Sequence, residues 1–260
     1  MPLAANALTT VSTTETYLGL TAGAQNDLLY LLINSVSDRI QQYCGRQFAK
    51  QVFAEVHAGH DYQKLWLEQY PIITQGVYPT VTVDDGAWTI GEDNDFTVVE
   101  NENTGDHYLF SESGWPVSGY YRRETLCPTD PDPNKANRNI DVTNLAGYVL
   151  PEYSSHTSST TSIATGSSKT ITLANTTCLA VGDTVTLSST GAAGPPIVAA
   201  VSESCTISAI PTSTTVTLTT VANAHAGTIT LASTRTLPYD LEEACIQLVG
   251  LRMTQRNTRG

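Results

Sequence analysis

The sequence predicts an α+β fold, with N-terminal helices and a C-terminal helix packed with a strand-rich middle. Residues 24–44 and the residues after Leu237 carry apolar side chains at helical spacing. Residues 52–142 contain short alternating runs that are typical of strands. Residues 154–236 alternate Thr or Ser with Val, Ile or Leu, which predicts an inserted small all-β barrel or sandwich.

Two helices are predicted near the N-terminus. Ser12-Thr13-Thr14-Glu15 has the form of a capping box, and Gly19 suits the end of a short helix. A longer amphipathic helix is predicted over residues 24–44, with Gly45 at its end. The apolar positions expected on its buried face are Leu29, Leu32, Ile33, Val36, Ile40 and Tyr43.

A third helix is predicted after Leu237. Pro238 suits a first helical turn, where its missing N–H is not needed. Acidic residues follow at the positive end of the helix dipole, and basic residues lie towards the negative end. The expected buried stripe is Leu241, Ala244, Cys245, Leu248 and Val249.

Short strands are predicted between these helices. They are residues 64–67, 80–83, 96–99 and 139–142, with a turn at Asp84-Asp85-Gly86 after the second of them.

The segment 154–236 differs from the rest of the chain in composition. Ser and Thr supply 36 of its 83 residues, it contains no aromatic residue, and its four charged residues cancel. We therefore predict a discontinuous core domain, residues 1–153 and 237–260, with residues 154–236 as an inserted Ser/Thr-rich β domain. Residues 154–168 are expected to form a flexible entry linker, and a low-complexity tail that never packs is the alternative.

The net charge of −12 disfavours some functions. A protein that grips nucleic acid through its phosphates needs a basic face, and an acidic chain is repelled by DNA and by anionic membrane surfaces. Charged residues form only 15% of the chain, against about 25% in an average globular protein, which suggests that a partner covers part of the surface.

No secretion signal or membrane-spanning segment is expected, because the N-terminus lacks a basic region and the apolar runs are short. We expect the protein to be made in a host cytoplasm. Its cysteines are odd in number and scattered, so they are predicted to be free, small apolar residues: Cys44, Cys127, Cys178, Cys205 and Cys245.

Five short motifs occur in a fixed order along the residues outside 154–236. They are Tyr43-Cys44-Gly45-Arg46-Gln47-Phe48, Trp66-Leu67-Glu68-Gln69-Tyr70-Pro71-Ile72, Asp95-Phe96-Thr97-Val98, Ala146-Gly147-Tyr148 and Pro238-Tyr239-Asp240-Leu241-Glu242-Glu243-Ala244-Cys245. In this order they resemble the tailed-bacteriophage head–tail connector (adaptor) family. The long interval 149–236 departs from the family pattern.

The resemblance implies a structural virion protein at the head–tail interface, without enzymatic activity or cofactor. Members form a closed ring, commonly of twelve subunits, which joins the portal protein to a downstream neck or tail-terminator protein. DNA passes through the channel of the ring without sequence-specific binding.

Two groups of residues are candidates for roles in such a ring. Acidic side chains that do not bind DNA would suit the channel wall, and the candidates are Asp84, Asp85, Glu92, Asp93 and Asp95; a solvated hairpin loop is the alternative. The basic C-terminal residues Arg252, Arg256 and Arg259 are candidates for the portal interface. The alternative for these is helix-dipole complementation and a frayed tail.

Metal, calcium, phosphate and catalytic sites have weak support in the sequence. His57, His60 and Asp61 lack the further ligands of a metal site. Residues 130–134 lack the glycine and distal glutamate of a calcium loop, and residues 166–170 lack the Gly-Lys-Thr order of a phosphate loop. A carbohydrate-binding or adhesive β module is the alternative function, although residues 154–236 lack aromatic rings. A hydrolase that uses His57 or His60 is a third.

Overall fold

A computed structural model describes residues 2–76, 78–91, 94–101, 106–116, 139–191 and 199–257. It confirms the α+β class. The chain forms two compact units: the first unit comprises Met1–Gln51 and Tyr148–Gly260, and the second unit comprises Val52–Gly147. These boundaries differ from the predicted ones at 153/154 and 236/237, and a separate inserted domain remains a prediction.

All three described α-helices belong to the first unit. They are α1 (Val11–Leu18), α2 (Asn26–Cys44) and α3 (Tyr239–Asn257). Gly19 and Gly45 end α1 and α2 in the left-handed conformation, as predicted. None of the described helices has the length and hydropathy that a membrane span requires.

The predicted capping box of α1 is wrong. Thr10 is the N-cap, and its hydroxyl accepts a hydrogen bond from the Thr13 N–H. Glu15 is instead buried, and its carboxylate accepts from the Gly23 N–H at 2.7 Å. The Glu15 carboxylate therefore holds the loop between α1 and α2 and does not cap the start of α1.

The closing helix packs against both opening helices. Leu29 and Ile33 of α2 share one buried cluster with Cys245 and Val249 of α3, together with Leu8 from the N-terminal segment. The contact between α1 and α3 is close, since a Cβ at Gly250 would lie 2.9 Å from Leu18 Cδ2. Two stretches that are distant in sequence thus make one helical core.

The apolar stripes were predicted only in part. Leu29, Ile33 and Val36 are buried, Leu32 and Ile40 are partly buried against the same cluster, and Tyr43 is 91% exposed. On α3 the stripe is rotated relative to the prediction, so that Ala244 and Leu248 are not in the core. The buried positions of α3 are Glu242, Cys245, Ile246, Val249 and Met253.

Glu242 lies at the first turn of α3 and is buried in a small polar network. Its Oε2 lies 2.6 Å from Nη1 of Arg235, and its Oε1 accepts from the Thr9 hydroxyl at 3.0 Å. Glu242 is 4% exposed and Thr9 is fully buried. The network joins the N-terminal segment, the residues before α3 and α3 itself.

The described part of the second unit, which lacks residues 77, 92–93, 102–105 and 117–138, contains eight strands, and the predicted strands are among them. They are β1 (Gln51–His57), β2 (Lys64–Trp66), β3 (Ile72–Ile73), β4 (Thr80–Val83), β5 (Gly86–Trp88), β6 (Thr97–Asn101), β7 (Asp106–Phe110) and β8 (Ile140–Ala146). One sheet has the order β1-β8-β4-β5, with β3 also paired to β8, and the other has the order β2-β7-β6.

Both sheets contribute to one core. Leu65 and Leu109 come from the three-stranded sheet, and Val81 and Ile140 come from the larger one. Trp115 is 1% exposed in this core and stacks on Trp88, with ring centroids 5.2 Å apart. The three tryptophans of the chain, Trp66 included, all lie in this unit.

The described part of the Ser/Thr-rich segment contains eight strands. They are β9 (Ser155–Thr157), β10 (Ser162–Ile163), β11 (Gly166–Thr172), β12 (Thr184–Ser189), β13 (Val201–Thr212), β14 (Thr215–Val221), β15 (His225–Ala226) and β16 (Ile229–Ala232). The flexible linker predicted over 154–168 is therefore wrong, because this stretch contains β9, β10 and the start of β11.

Six of these strands form an antiparallel sheet in the order β11-β14-β13-β12-β16-β9, and β10 pairs with β15. The inward positions make a buried cluster that includes Ile171, Leu187 and Leu218, so the segment is not an unpacked tail. Among the described residues the sheet does not close into a barrel. Just beyond the ends of the outer strands β9 and β11, Ser158 forms an isolated bridge with Leu173, and the Ser159 N–H donates to the Thr172 carbonyl at 2.9 Å.

The described cysteines are free, as predicted. Cys178, Cys205 and Cys245 are buried, and burial raises the pKa of Cys245 to about 11. The thiolate is therefore disfavoured, and this residue acts as an apolar core residue. Cys44 is exposed, which the prediction of a small apolar residue did not anticipate. Cys127 lies outside the described residues.

Candidate functional site

A groove of about 370 Å³ runs along the first unit between α2 and α3. Ile40 and Tyr43 line it from α2, and Leu248 and Leu251 line it from α3. Ile40 is partly buried against the shared core, whereas the other three side chains are exposed. Tyr43, Leu248 and Leu251 are 91%, 43% and 53% exposed. Exposed apolar side chains that lie together in this way make the groove the candidate binding surface.

Two arginines also line the apolar groove. Arg39 extends from α2, and Arg252 from α3 donates to the Ser35 hydroxyl of α2 at 2.8 Å. This bond holds the Arg252 guanidinium in place beside the groove. On a chain with a net charge of −12, a groove with two arginines favours a partner that carries carboxylates next to apolar side chains.

Of the three predicted basic residues, Arg252 and Arg256 lie in or near this groove. Arg252 and Arg256 are four residues apart and lie on one face of α3. Arg252 lines the groove, whereas the exposed Arg256 lines a neighbouring cleft with residues 23–28 at the start of α2. Arg259 lies outside the described residues.

The three described residues of the predicted acidic group occupy two separate turns. Asp84 and Asp85 are exposed at the centre of the β4–β5 hairpin, with φ of 49° and 65°, the conformation of a type I′ turn. Asp95 accepts from the Thr89 N–H at 2.7 Å and from the Thr89 hydroxyl at 2.9 Å, bonds that lower its pKa. Asp95 therefore has a structural role in its own turn. Glu92 and Asp93 lie outside the described residues.

His57 pairs with a carboxylate that the sequence analysis did not single out. Its Nε2 lies 3.0 Å from Oε2 of Glu55, which also accepts from the Glu68 and Gln69 N–H groups. Burial alone would raise the pKa of Glu55, but these bonds outweigh burial and lower it. Among the described residues no three His, Cys, Asp or Glu side chains are grouped to hold a metal ion.

The structure describes one of the two loop-like motifs, residues 166–170, and not the other, residues 130–134. Residues 166–170 begin β11, where Gly166 pairs with Val221 of β14, so they form a strand and no phosphate loop. Residues 130–134 lie outside the described part of the chain.

A buried polar network in the Ser/Thr-rich segment was missed from the sequence. His225 Nε2 lies 2.6 Å from Glu203 Oε1, and His225 Nδ1 lies 3.1 Å from the Ser189 hydroxyl. The residue types are those of a nucleophilic triad, but Ser189 and His225 are both buried, which keeps a substrate from the hydroxyl. The network instead ties β12, β13 and β15 together.

Glu203 also accepts hydrogen bonds from the N–H groups of Ala222 and Asn223 at 2.8 and 3.1 Å. Burial by itself would raise the pKa of Glu203. The bonds from His225 and from the two amides outweigh burial, so the pKa lies below its ordinary value of 4.5.

We expect the structure around Glu203 to lose stability in acid. A carboxylate with a lowered pKa stabilises the fold above its ordinary value of 4.5, and that stability is lost as the pH falls through the lowered pKa. Hydrogen exchange of the Ala222 and Asn223 amides, followed by NMR from neutral pH to about pH 3, should show falling protection factors.

The Leu173 amide is the internal control for this experiment, because it donates to the Thr214 carbonyl and not to a carboxylate. Its protection should change less over the same range. An equal loss at Leu173 and at Ala222 would contradict a local role for Glu203.

No protein-family model matches this chain, and neither the curated proteins nor the solved structures contain a match.

Proposed function

We propose that this chain is a structural protein of a tailed-bacteriophage virion, a head–tail connector that forms a ring with its own copies beneath the portal. The observation that carries the proposal is the groove between α2 and α3, which combines exposed apolar residues with two arginines. The low charged fraction of the chain agrees with a subunit that is covered on several sides.

In this proposal the groove receives the portal protein. An apolar anchor of the portal occupies the space beside Tyr43 and Leu251, and a portal carboxylate pairs with Arg39 or Arg252. A downstream neck or tail-terminator protein binds the ring on its other side. DNA passes through the channel, and the protein acts without catalysis or a cofactor.

Two finer elements belong to the same proposal. The Ser/Thr-rich segment, residues 154–236, is an inserted β domain that decorates the ring or contacts a neighbouring virion protein. Asp84 and Asp85 contribute negative charge to the channel wall, which agrees with their exposure at the tip of the β4–β5 hairpin.

The groove is tested by Leu251→Asp. A carboxylate in the apolar groove is expected to weaken association with the portal protein at least tenfold, about 1.4 kcal/mol, because a charge must then be desolvated on binding. The measurement is native mass spectrometry of the purified chain with and without the portal protein of the same virion. The wild-type chain should form a ring that joins the portal.

Leu31→Asp is the matched control. Leu31 lies on α2 with an exposure of 54%, against 53% for Leu251, and is not among the residues that line the groove. Equal weakening by both variants would show that the groove is not the portal site. A wild-type chain that stays monomeric in the presence of the portal would refute the connector proposal itself.

The alternative function, a carbohydrate-binding or adhesive module in the Ser/Thr-rich segment, is less well supported. Sugars stack on aromatic rings, and residues 154–236 contain none.

A further inference from the structure

We propose that the second unit carries a saccharide-binding cleft, formed by the end of β1, the loop 58–63 and β2. The cleft encloses about 570 Å³ and is lined by aromatic, imidazole and ammonium groups. The residues that carry the inference are His57, His60, Tyr62, Lys64 and Trp66. This site is independent of the groove on the first unit.

The backbone of the loop is fixed by hydrogen bonds. The Gly59 N–H donates to Asn139 Oδ1 at 3.0 Å, and the Asp61 N–H donates to the Trp115 carbonyl at 2.8 Å. The N–H of Trp115 in turn donates to the Tyr62 carbonyl at 2.9 Å, and its indole Nε1 donates to the Gln63 carbonyl at 3.1 Å. The loop is therefore held at several points along its length.

Close packing adds to this rigidity. A Cβ at Gly59 would lie 1.8 Å from the Pro116 carbonyl oxygen, so the backbone approaches too closely for any other residue. The side chains of His60, Asp61 and Tyr62 are nevertheless exposed. A rigid loop that presents exposed side chains loses little conformational entropy when a ligand binds.

Two aromatic side chains of the cleft are unusually open to solvent. Tyr62 is 74% exposed and Trp66 is 50% exposed. The Trp66 ring leans against Tyr108 of the neighbouring strand β7, with centroids 4.9 Å apart at 50°, and Lys64 Nζ lies 4.7 Å from the Tyr108 ring centroid. Trp66 therefore packs against Tyr108 while half of its surface remains exposed.

This combination fits a sugar. A pyranose ring with equatorial substituents presents flat C–H faces that pack on aromatic rings, as other apolar surfaces do, and its hydroxyl groups require polar partners nearby. His60 and Lys64 supply such partners on the same cleft as Tyr62 and Trp66. The favoured ligand is therefore a neutral, gluco-configured oligosaccharide.

Charge disfavours single-stranded nucleic acid, the other ligand that stacks on aromatic rings. A nucleic-acid groove needs several basic side chains along the phosphate backbone. Among the residues that line this cleft, Lys64 is the one Lys or Arg, and Asp61 lies next to Tyr62 in the loop. The net charge of −12 adds a repulsive field.

The test is isothermal titration of the purified full chain with cellohexaose and with chitohexaose. We expect saturable binding of at least one of them. Tyr62→Ala and Trp66→Ala should each weaken it about tenfold, because each removes a stacking surface. Tyr17→Ala is the control, since Tyr17 is an exposed tyrosine of α1 in the first unit and should leave the affinity unchanged.

If Trp66→Ala fails to fold, Tyr62→Ala alone tests the inference. The Tyr62 ring is mostly exposed, so its removal should not prevent folding. Absence of binding to both sugars would overturn the inference, and so would binding that Tyr62→Ala leaves intact. Binding of an oligothymidylate at physiological salt, with neither sugar bound, would also overturn it and assign the cleft to nucleic acid.

Discussion

Replacing Glu242 with alanine is expected to lower the free energy of unfolding of the first unit by about 3 kcal/mol. The variant leaves Arg235, whose side chain is only 21% exposed, without its carboxylate, and it also removes the acceptor of the buried Thr9 hydroxyl. An unpaired charge in such a place is costly because it is poorly hydrated. Urea denaturation followed by helical circular dichroism measures the change.

Glu243→Ala is the control for Glu242→Ala. Glu243 is the next residue of α3, is exposed and accepts from the Tyr17 hydroxyl at the surface. Its replacement should change the stability by less than about 0.5 kcal/mol. Similar losses in the two variants would contradict the role assigned to the buried network.

Ile33→Ala is expected to destabilise the first unit by about 2–5 kcal/mol. Ile33 is fully buried in the cluster that joins α2 to α3, so the variant removes buried methyl groups and leaves a cavity. The same denaturation experiment measures it.

Leu31→Ala serves as the comparison, because Leu31 lies on the same helix with 54% exposure. Its expected effect is within about 0.5 kcal/mol. If Ile33→Ala were equally mild, the helices of the two ends of the chain would not share a core.

Local signals predicted the helices and several strands well. Gly19 and Gly45 end their helices because glycine adopts the left-handed conformation readily. Asp84 and Asp85 form the predicted turn of the β4–β5 hairpin, since aspartate tolerates positive φ better than most residues. Each of these features depends on a few neighbouring residues, which the sequence shows directly.

The orientation of α3 was harder to predict. Apolar residues occur on several faces of this helix, so their spacing alone does not select one stripe. Tertiary pairing selects it, because Glu242 is buried against Arg235 and Thr9 and thereby fixes which face turns inward. This pairing involves residue 9 and residue 242, and no local pattern reveals it.

The candidate sites were predicted least well for the same reason. Arg252 was singled out from its position near the chain end, but the groove beside it requires α2, more than 200 residues earlier. Glu203 was missed because its partner His225, 22 residues later, becomes a neighbour only after the strands have folded. Glu55 lies two residues before His57 on β1, so the i, i+2 spacing of a strand places both side chains on one face and could have indicated this pair.

The distribution of tryptophan gives the molecule a built-in optical reporter. Trp66, Trp88 and Trp115 all belong to the second unit, whereas the three described α-helices belong to the first. Indole emission excited at the red edge of the absorption band therefore follows one unit alone. Quenching by acrylamide should reach Trp66 readily and Trp115 hardly at all, so one unlabelled sample distinguishes the surface of that unit from its interior.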